Sequence, residues 1–171
     1  MRYQWTPAYV ANTKIPNSQV RTYGEYRHLD RVIGLVPRRE SAAEVGAGYG
    51  RLTVLLRDAF DRVAAFEREP ELVQHAQRLL PGVDVHPVDG LTSLPAPDRA
   101  YDLVMTFTVL QHMTDKEASR VIAEVKRIAR GHVLIVEDTD PTYHYVDPKH
   151  SGHFTHGRSV RWDREHMAPF D

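Results

Sequence analysis

Three glycines at alternate positions, Gly46, Gly48 and Gly50, follow a short apolar segment. Glycine lets a backbone turn tightly and approach a ligand, and the N-terminus of a following helix attracts an anionic group. Dinucleotide-binding loops have glycines at their first, third and sixth positions. Here the last glycine is at the fifth position and Arg51 occupies the sixth. The spacing favours a nucleotide-type ligand without close packing around a pyrophosphate, and a plain tight turn is the alternative.

Two carboxylates follow the glycine loop, each at the end of a later apolar segment. Glu67 lies about 20 residues further on, where a carboxylate can accept hydrogen bonds from both hydroxyls of a ribose. Asp89, followed by Gly90, can accept a hydrogen bond from the exocyclic amine of adenine. A charged surface run and an Asp-Gly turn are the alternatives at these two positions. The order of all three features favours a nucleoside site.

His112 is the residue best suited to acid–base chemistry, because it follows the fourth apolar segment. An imidazole with an ordinary pKa near 6.5 can take a proton from a hydroxyl or a protonated amine. The alternative is that His112 caps a turn or forms one wall of the site.

Three histidines spaced by three residues, His150, His153 and His156, lie near the C-terminus. Imidazoles at such spacing could hold a divalent metal if they shared one face of a helix. Gly152 and Gly157 disfavour a helix in this region, so solvated loop histidines are the interpretation that we favour. We therefore assign no metal ligand.

Short apolar segments alternate with amphipathic segments, and this alternation predicts strands and helices. The predicted strands are 41–45, 62–66, 83–88, 101–107 and 132–136; the predicted helices are 25–36, 51–60, 70–80 and 114–129, the last capped by Gly131. This order predicts an α/β doubly wound, mostly parallel sheet with helices on both faces. Ligands bind beyond the carboxyl ends of such strands, where residues 46–50, 67, 89, 107–112 and 137–138 would lie.

These segments resemble the successive motifs of class I S-adenosylmethionine-dependent methyltransferases, in particular the small-molecule members. The matching segments are 44–50, 66–67, 88–90, 101–104 and 106–113. The resemblance implies a Rossmann-like fold that binds S-adenosylmethionine and releases S-adenosylhomocysteine.

The resemblance also implies which residues bind the cofactor. They are Glu44, Gly46, Ala47, Gly48, Glu67, Arg68, Asp89, Gly90, Phe107 and Thr108. The glycine loop would face the methionine moiety, and Phe107 and Thr108 would lie near the sulfonium. Because aromatic rings can cover a cation, we add Tyr23 from the aromatic N-terminal arm.

One domain is expected over residues 1–171, with an N-terminal arm or lid (1–24), a cofactor-binding core (25–140) and a C-terminal extension (141–171). The family's sheet normally continues with a helix and an antiparallel pair of strands. Residues 141–171 show no convincing hairpin pattern, so the last strands of the usual sheet are expected to be missing. The chain then resembles a short or truncated member, whose open sheet edge a second copy could complete in a homodimer.

Composition narrows the function further. The formal net charge is −1, and the Asn/Asp-Pro-Pro-Tyr segment of base-methylating enzymes is absent after the fourth strand, so we expect a small-molecule acceptor and no nucleic acid. The chain has no cysteine, which excludes disulfides and thiolate ligands. We find no export signal or apolar span, so we expect a cytoplasmic protein without a membrane partner.

The expected reaction is transfer of a methyl group to an oxygen or nitrogen of a small molecule, with His112 as the candidate general base. One alternative is a non-catalytic or partner subunit that binds adenosylmethionine. A nicotinamide-dependent oxidoreductase is a second alternative, which the glycine spacing disfavours.

Overall fold

The computed structural model describes residues 18–147 and 153–168, with side chains from residue 24 onwards. Within these ranges the strands are β1 (Ser41–Val45), β2 (Arg62–Glu67), β3 (Val83–Pro87), β4 (Tyr101–Phe107), β5 (Ala129–Val136), β6 (His144–Val146) and β7 (Phe154–His156). The helices are α1 (Ser18–Ile33), α2 (Thr53–Ala59), α3 (Pro70–Leu79), α4 (Asp115–Ile128) and α5 (Val160–His166), and a 3₁₀ turn spans Leu110–His112.

Strands β1 to β5 form one parallel sheet in the order β3-β2-β1-β4-β5. The chain runs outward from β1 to β3 and then crosses back to β4, so the strand order reverses between β1 and β4. In an open sheet of this kind, a ligand binds beyond the carboxyl ends of the strands at that reversal. The predicted doubly wound α/β sheet is confirmed.

The central strands β1, β2 and β4 are buried on both faces, which explains why they are short apolar runs. On one face the apolar stripe of α4, which includes Val121 and Val125, packs against Val45 and Val104. On the other face α1 and α2 pack against the sheet, and α3 covers β2 and β3 on that side. The layers hold the strand ends in fixed positions, and those ends carry the site.

Helix α4 begins with a capping box in which Thr114 accepts a hydrogen bond from the backbone N–H of Glu117 and the Glu117 carboxylate accepts one from Thr114. Gly131 does not cap this helix, so that prediction is wrong. The helix passes directly into β5 at Ala129, and Gly131 lies within the strand. A Cβ on Gly131 would lie 2.7 Å from the carbonyl oxygen of Asp102, so close strand packing requires glycine there.

Helix α1 begins at Ser18 and not at residue 25 as the apolar spacing predicts. That spacing marks only the part of the helix that packs against the sheet, through buried Leu29 and Ile33. No helix in the described part of the chain is long and apolar enough to cross a bilayer.

Strands β6 and β7 form an antiparallel hairpin that pairs His144 with His156 and lies apart from the main sheet. The sequence pattern did not reveal this hairpin, but among the described residues the main sheet ends at β5, as expected from the missing last strands. All three residues of β6 are exposed, so the strand lacks the alternation of apolar and polar residues by which a half-buried strand is recognised.

Candidate functional site

A pocket of about 210 Å³ opens at the carboxyl ends of β1, β2 and β4, where the strand order reverses. Nine residues predicted for the site line this pocket: Glu44, Gly46, Ala47, Gly48, Glu67, Arg68, Phe107, Thr108 and His112. The fold therefore brings the glycine loop, the end of β2 and the segment after β4 together around one cavity.

The glycine loop has the backbone conformation that its sequence suggests. Gly46 and Gly48 have φ values of 76° and 60°, in the left-handed region that favours glycine. A Cβ on Gly46 would lie 2.6 Å from Cγ2 of Val109, so the loop packs directly against the segment after β4. A Cβ on Gly48 would meet nothing within 4 Å, because this glycine faces the open pocket.

Glu67 connects the end of β2 to the glycine loop. One of its carboxylate oxygens accepts a hydrogen bond from the backbone N–H of Gly48 at 2.7 Å. The other accepts hydrogen bonds from the N–H groups of Arg68 at 2.8 Å and Glu69 at 2.9 Å. Three backbone donors thus fix this carboxylate at the pocket wall, and a carboxylate with about four acceptor sites can still accept from a ligand.

Glu44 presents a second carboxyl group to the pocket, but in its neutral form. Burial raises the pKa of Glu44 to about 8, although Thr53 Oγ1 donates a hydrogen bond to its carboxyl at 2.5 Å. The group therefore retains its proton at neutral pH and can donate one hydrogen bond.

The raised pKa of Glu44 makes a specific prediction about stability. An unfolded chain loses this proton near pH 4.5, whereas the folded protein keeps it up to about pH 8. Stability should therefore fall as pH rises across this window, by roughly 1.4 kcal/mol per pH unit from this group. Glu44→Gln should remove that slope, so its unfolding free energy relative to the wild type should increase between pH 5 and pH 8.

Urea denaturation at several pH values measures this difference. Glu71→Gln, which replaces an exposed carboxylate on α3, is the control and should run parallel to the wild type. A constant difference between Glu44→Gln and wild type at all pH values would show that Glu44 does not retain its proton.

Arg51 is a pocket residue that the sequence analysis did not assign to the site. Its guanidinium forms a 2.5 Å ion pair with Glu25 of α1 and lies 5.7 Å from the ring centroid of Phe107. The Tyr26 hydroxyl donates a hydrogen bond to the Arg51 carbonyl, which ties α1 to the same loop. The sequence feature that could have identified Arg51 as a site residue is its position in the glycine loop, where a dinucleotide fingerprint has its third glycine.

His112 lies in the pocket wall, but its surroundings make it a weak base. Its Nδ1 is 2.8 Å from the carbonyl oxygen of Phe154, which can only accept, so Nδ1 carries the proton. Its Nε2 then accepts from the Gln111 side-chain amide at 3.2 Å. Burial lowers the pKa of His112 to about 4, so the ring is neutral at physiological pH. These contacts favour a role as a wall of the site over that of a general base.

Asp89 and Gly90, which were predicted for the site, do not line the pocket. Asp89 is exposed and Gly90 is half-buried, and of this segment it is Leu91 that lines the pocket. The side chain of Tyr23 is outside the described residues, as are the arm up to residue 17 and His150. His153 is buried, with its Nδ1 3.4 Å from Asp147. Among the described residues, no three His, Asp or Glu side chains are grouped to hold a metal ion.

Known proteins share both the sequence pattern and the fold. A family model described as a methyltransferase domain matches residues 42–131. A Mycobacterium tuberculosis protein named as a probable S-adenosylmethionine-dependent methyltransferase is 30% identical over 127 residues, covering 73% of this chain and 45% of that protein. This chain thus spans less than half the length of that curated relative.

Solved structures agree on the fold. A SAM-dependent methyltransferase of Leishmania major superposes with a TM-score of 0.74 at 19% identity, covering 88% of this chain and 62% of that one. DhpI in complex with SAH superposes with a TM-score of 0.72 at 23% identity, and the superposition covers 94% of this chain and 80% of DhpI. The chain belongs to the methyltransferase domain family, and the predicted resemblance to S-adenosylmethionine-dependent methyltransferases is confirmed.

Proposed function

We propose that this chain binds S-adenosylmethionine in the pocket and transfers its methyl group to an oxygen or nitrogen of a small molecule. The observation that carries the proposal is the Glu67 carboxylate, which is fixed to Gly48 of the glycine loop beside the pocket at the strand-order reversal. A nucleoside ligand needs an acceptor for its ribose hydroxyls, and Glu67 supplies one.

The other pocket residues match the remaining parts of this cofactor. The methionine moiety carries a carboxylate, and the Arg51 guanidinium in the pocket lining is a fitting partner for it. The sulfonium is a cation, and the Phe107 ring already lies under a guanidinium, so it can face positive charge. Neutral Glu44 adds a hydrogen-bond donor without an opposing charge.

When bound, the cofactor supplies an electrophilic methyl group. The acceptor's lone pair would form a bond to the methyl carbon as the carbon–sulfur bond breaks, and the sulfur would leave as a neutral thioether. Holding the two reactants in line can lower the activation free energy by up to roughly 7–11 kcal/mol. We propose that Thr108, Val109 and His112 provide that alignment from the wall after β4, and that the acceptor proton passes to solvent.

A small acceptor is supported by the composition of the chain. The formal net charge is −1, which does not favour a polyanionic nucleic acid.

A binding subunit without activity of its own is the second candidate. The observation that favours it is that both ring nitrogens of His112, the candidate base, take part in hydrogen bonds and that burial lowers its pKa to about 4. Such a subunit would bind the cofactor and release no thioether product.

Formation of S-adenosylhomocysteine from S-adenosylmethionine, measured by mass spectrometry against a panel of alcohols, phenols and amines, separates the two. The proposed enzyme should produce S-adenosylhomocysteine above the rate without acceptor for at least one class. Tight cofactor binding without product for every class would favour the binding subunit.

A further inference from the structure

Residues 108–113 form the pocket wall that faces the glycine loop. Thr108 has a φ of 53°, in the left-handed region that is strained for a residue other than glycine. The 3₁₀ turn that follows has few hydrogen bonds of its own, from His112 to Val109 at 3.2 Å and from Met113 to Leu110 at 3.0 Å. Contacts from other elements must therefore hold this wall in place.

Glu137, the residue after β5, accepts hydrogen bonds from the backbone N–H groups of the wall. One carboxylate oxygen accepts hydrogen bonds from the backbone N–H groups of Val109 at 2.8 Å and Leu110 at 2.9 Å. The other accepts one from the N–H of Gln111 at 3.0 Å. The start of the turn is thus capped by one side chain that makes no part of the pocket lining.

Arg158, which precedes α5, donates hydrogen bonds to backbone carbonyl groups of the same wall. Its guanidinium donates hydrogen bonds to the carbonyl oxygens of Leu110 at 2.8 Å and Met113 at 2.6 Å. It also donates to Asp115 at 2.8 Å and lies 4.8 Å from the ring centroid of Trp162. With 5% of its surface exposed, Arg158 is held rigidly enough to fix the wall.

We propose that Glu137 and Arg158 are positioning residues that clamp residues 108–113 against the glycine loop and so set the geometry of the cofactor site. The contact that transmits their effect is the one between Val109 and Gly46, where a Cβ would lie 2.6 Å from Val109. This inference rests on the proposed function. It also gives the C-terminal extension, outside the core that carries the sequence motifs, a part in cofactor binding.

The charge of Glu137 provides a readout that a purely structural contact would lack. Burial raises the pKa of Glu137 to about 7. The ionised carboxylate accepts all three N–H groups, whereas the protonated form replaces an acceptor site with an O–H donor. The charged group that acts on it is Arg158, whose positive charge lowers the pKa and so partly offsets the effect of burial.

The test compares Glu137→Gln and Arg158→Lys with matched controls at a second loop. Glu124 accepts the Leu94 N–H at 2.6 Å, and Arg127 donates to the carbonyls of Ala96 and Leu94 at 2.8 and 3.2 Å. Glu124→Gln and Arg127→Lys therefore remove the same kinds of contact away from the pocket.

Calorimetry with S-adenosylhomocysteine, well below each variant's melting temperature, should show about five- to tenfold weaker binding for the two clamp variants. The two controls should lower the melting temperature while affinity stays at the wild-type value. Wild-type affinity should also fall as pH drops below about 7, and Glu137→Gln should not show this dependence. Equal affinities in clamp and control variants would overturn the clamp.

Hydrogen exchange makes the clamp testable even if the proposed function fails. If the wild type binds neither S-adenosylmethionine nor S-adenosylhomocysteine, the function is wrong. The clamp can still be tested by the backbone amides of Val109, Leu110 and Gln111, which should exchange at least about fivefold faster in Glu137→Gln than in the wild type. Unchanged exchange at these three amides would refute it independently of any ligand.

Discussion

Glu67→Gln should weaken the binding of S-adenosylhomocysteine by about 10- to 100-fold. Hydrogen bonds to charged groups contribute about 1.5–3 kcal/mol, and each 1.4 kcal/mol is a factor of ten in affinity. The NH₂ group of glutamine would replace one of the two carboxylate oxygens, and it would then face either the N–H donor of Gly48 or those of Arg68 and Glu69. The substitution should therefore disturb the conformation of the glycine loop and weaken the proposed ribose contact.

Isothermal titration calorimetry of wild type and Glu67→Gln measures this loss. Glu71→Gln, an exposed carboxylate four residues further on, is the matched control and should bind as the wild type does. Thermal unfolding of all three proteins ensures that each is folded at the temperature of titration. Wild-type affinity in a folded Glu67→Gln protein would remove Glu67 from the site.

Asp102→Asn should destabilise the fold by about 1.5–3 kcal/mol, because a buried carboxylate loses hydrogen bonds to its charge. Asp102 is 2% exposed, and one of its oxygens accepts hydrogen bonds from the backbone N–H groups of Glu40 and Ser41, both at 3.0 Å. Its other oxygen accepts from Nε of Arg130 at 2.6 Å. The carboxylate thus joins the entrance of β1 to β4 and β5.

Chemical denaturation compares Asp102→Asn with Asp98→Asn, whose carboxylate pairs with Arg127 at 2.6 Å but is 76% exposed. Breaking this exposed pair should lower the free energy of unfolding by about 0–1 kcal/mol. If both substitutions cost the same, burial of the Asp102 network does not govern its contribution.

The pH dependence of stability gives a second readout for the same residue. The hydrogen bond from Arg130 lowers the pKa of Asp102 below its ordinary value of 3.8. A depressed carboxyl pKa stabilises the fold above the unfolded pKa, and this contribution is lost as pH falls through the folded pKa. Acid unfolding of wild type below about pH 4 should therefore include a loss that Asp102→Asn does not show.

Much of the fold could be predicted because local and tertiary preferences agree. The stripe of α4 and its Thr114–Glu117 capping box fix that helix from sequence alone. The left-handed conformations of Gly46 and Gly48 follow from their residue type. Hairpin β6–β7 was missed because exposed β6 has no apolar alternation.

The site was only partly predictable because several roles depend on contacts between distant segments. Glu137 could be identified as a strand-end carboxylate, but its three N–H partners lie about 27 residues away in sequence. Arg158 has no local motif that shows it will be buried beneath Leu110 and Met113. The low pKa of His112 likewise arises from burial, which residue type and spacing do not reveal.

The central claim, that the glycine loop and Glu67 form an adenosylmethionine site, is tested most directly by titrating the purified chain with S-adenosylmethionine, S-adenosylhomocysteine and NAD in parallel. We predict saturable binding of the first two at one molecule per chain and no detectable binding of NAD. Binding of NAD alone, or of none of the three by protein that unfolds cooperatively, would contradict the claim.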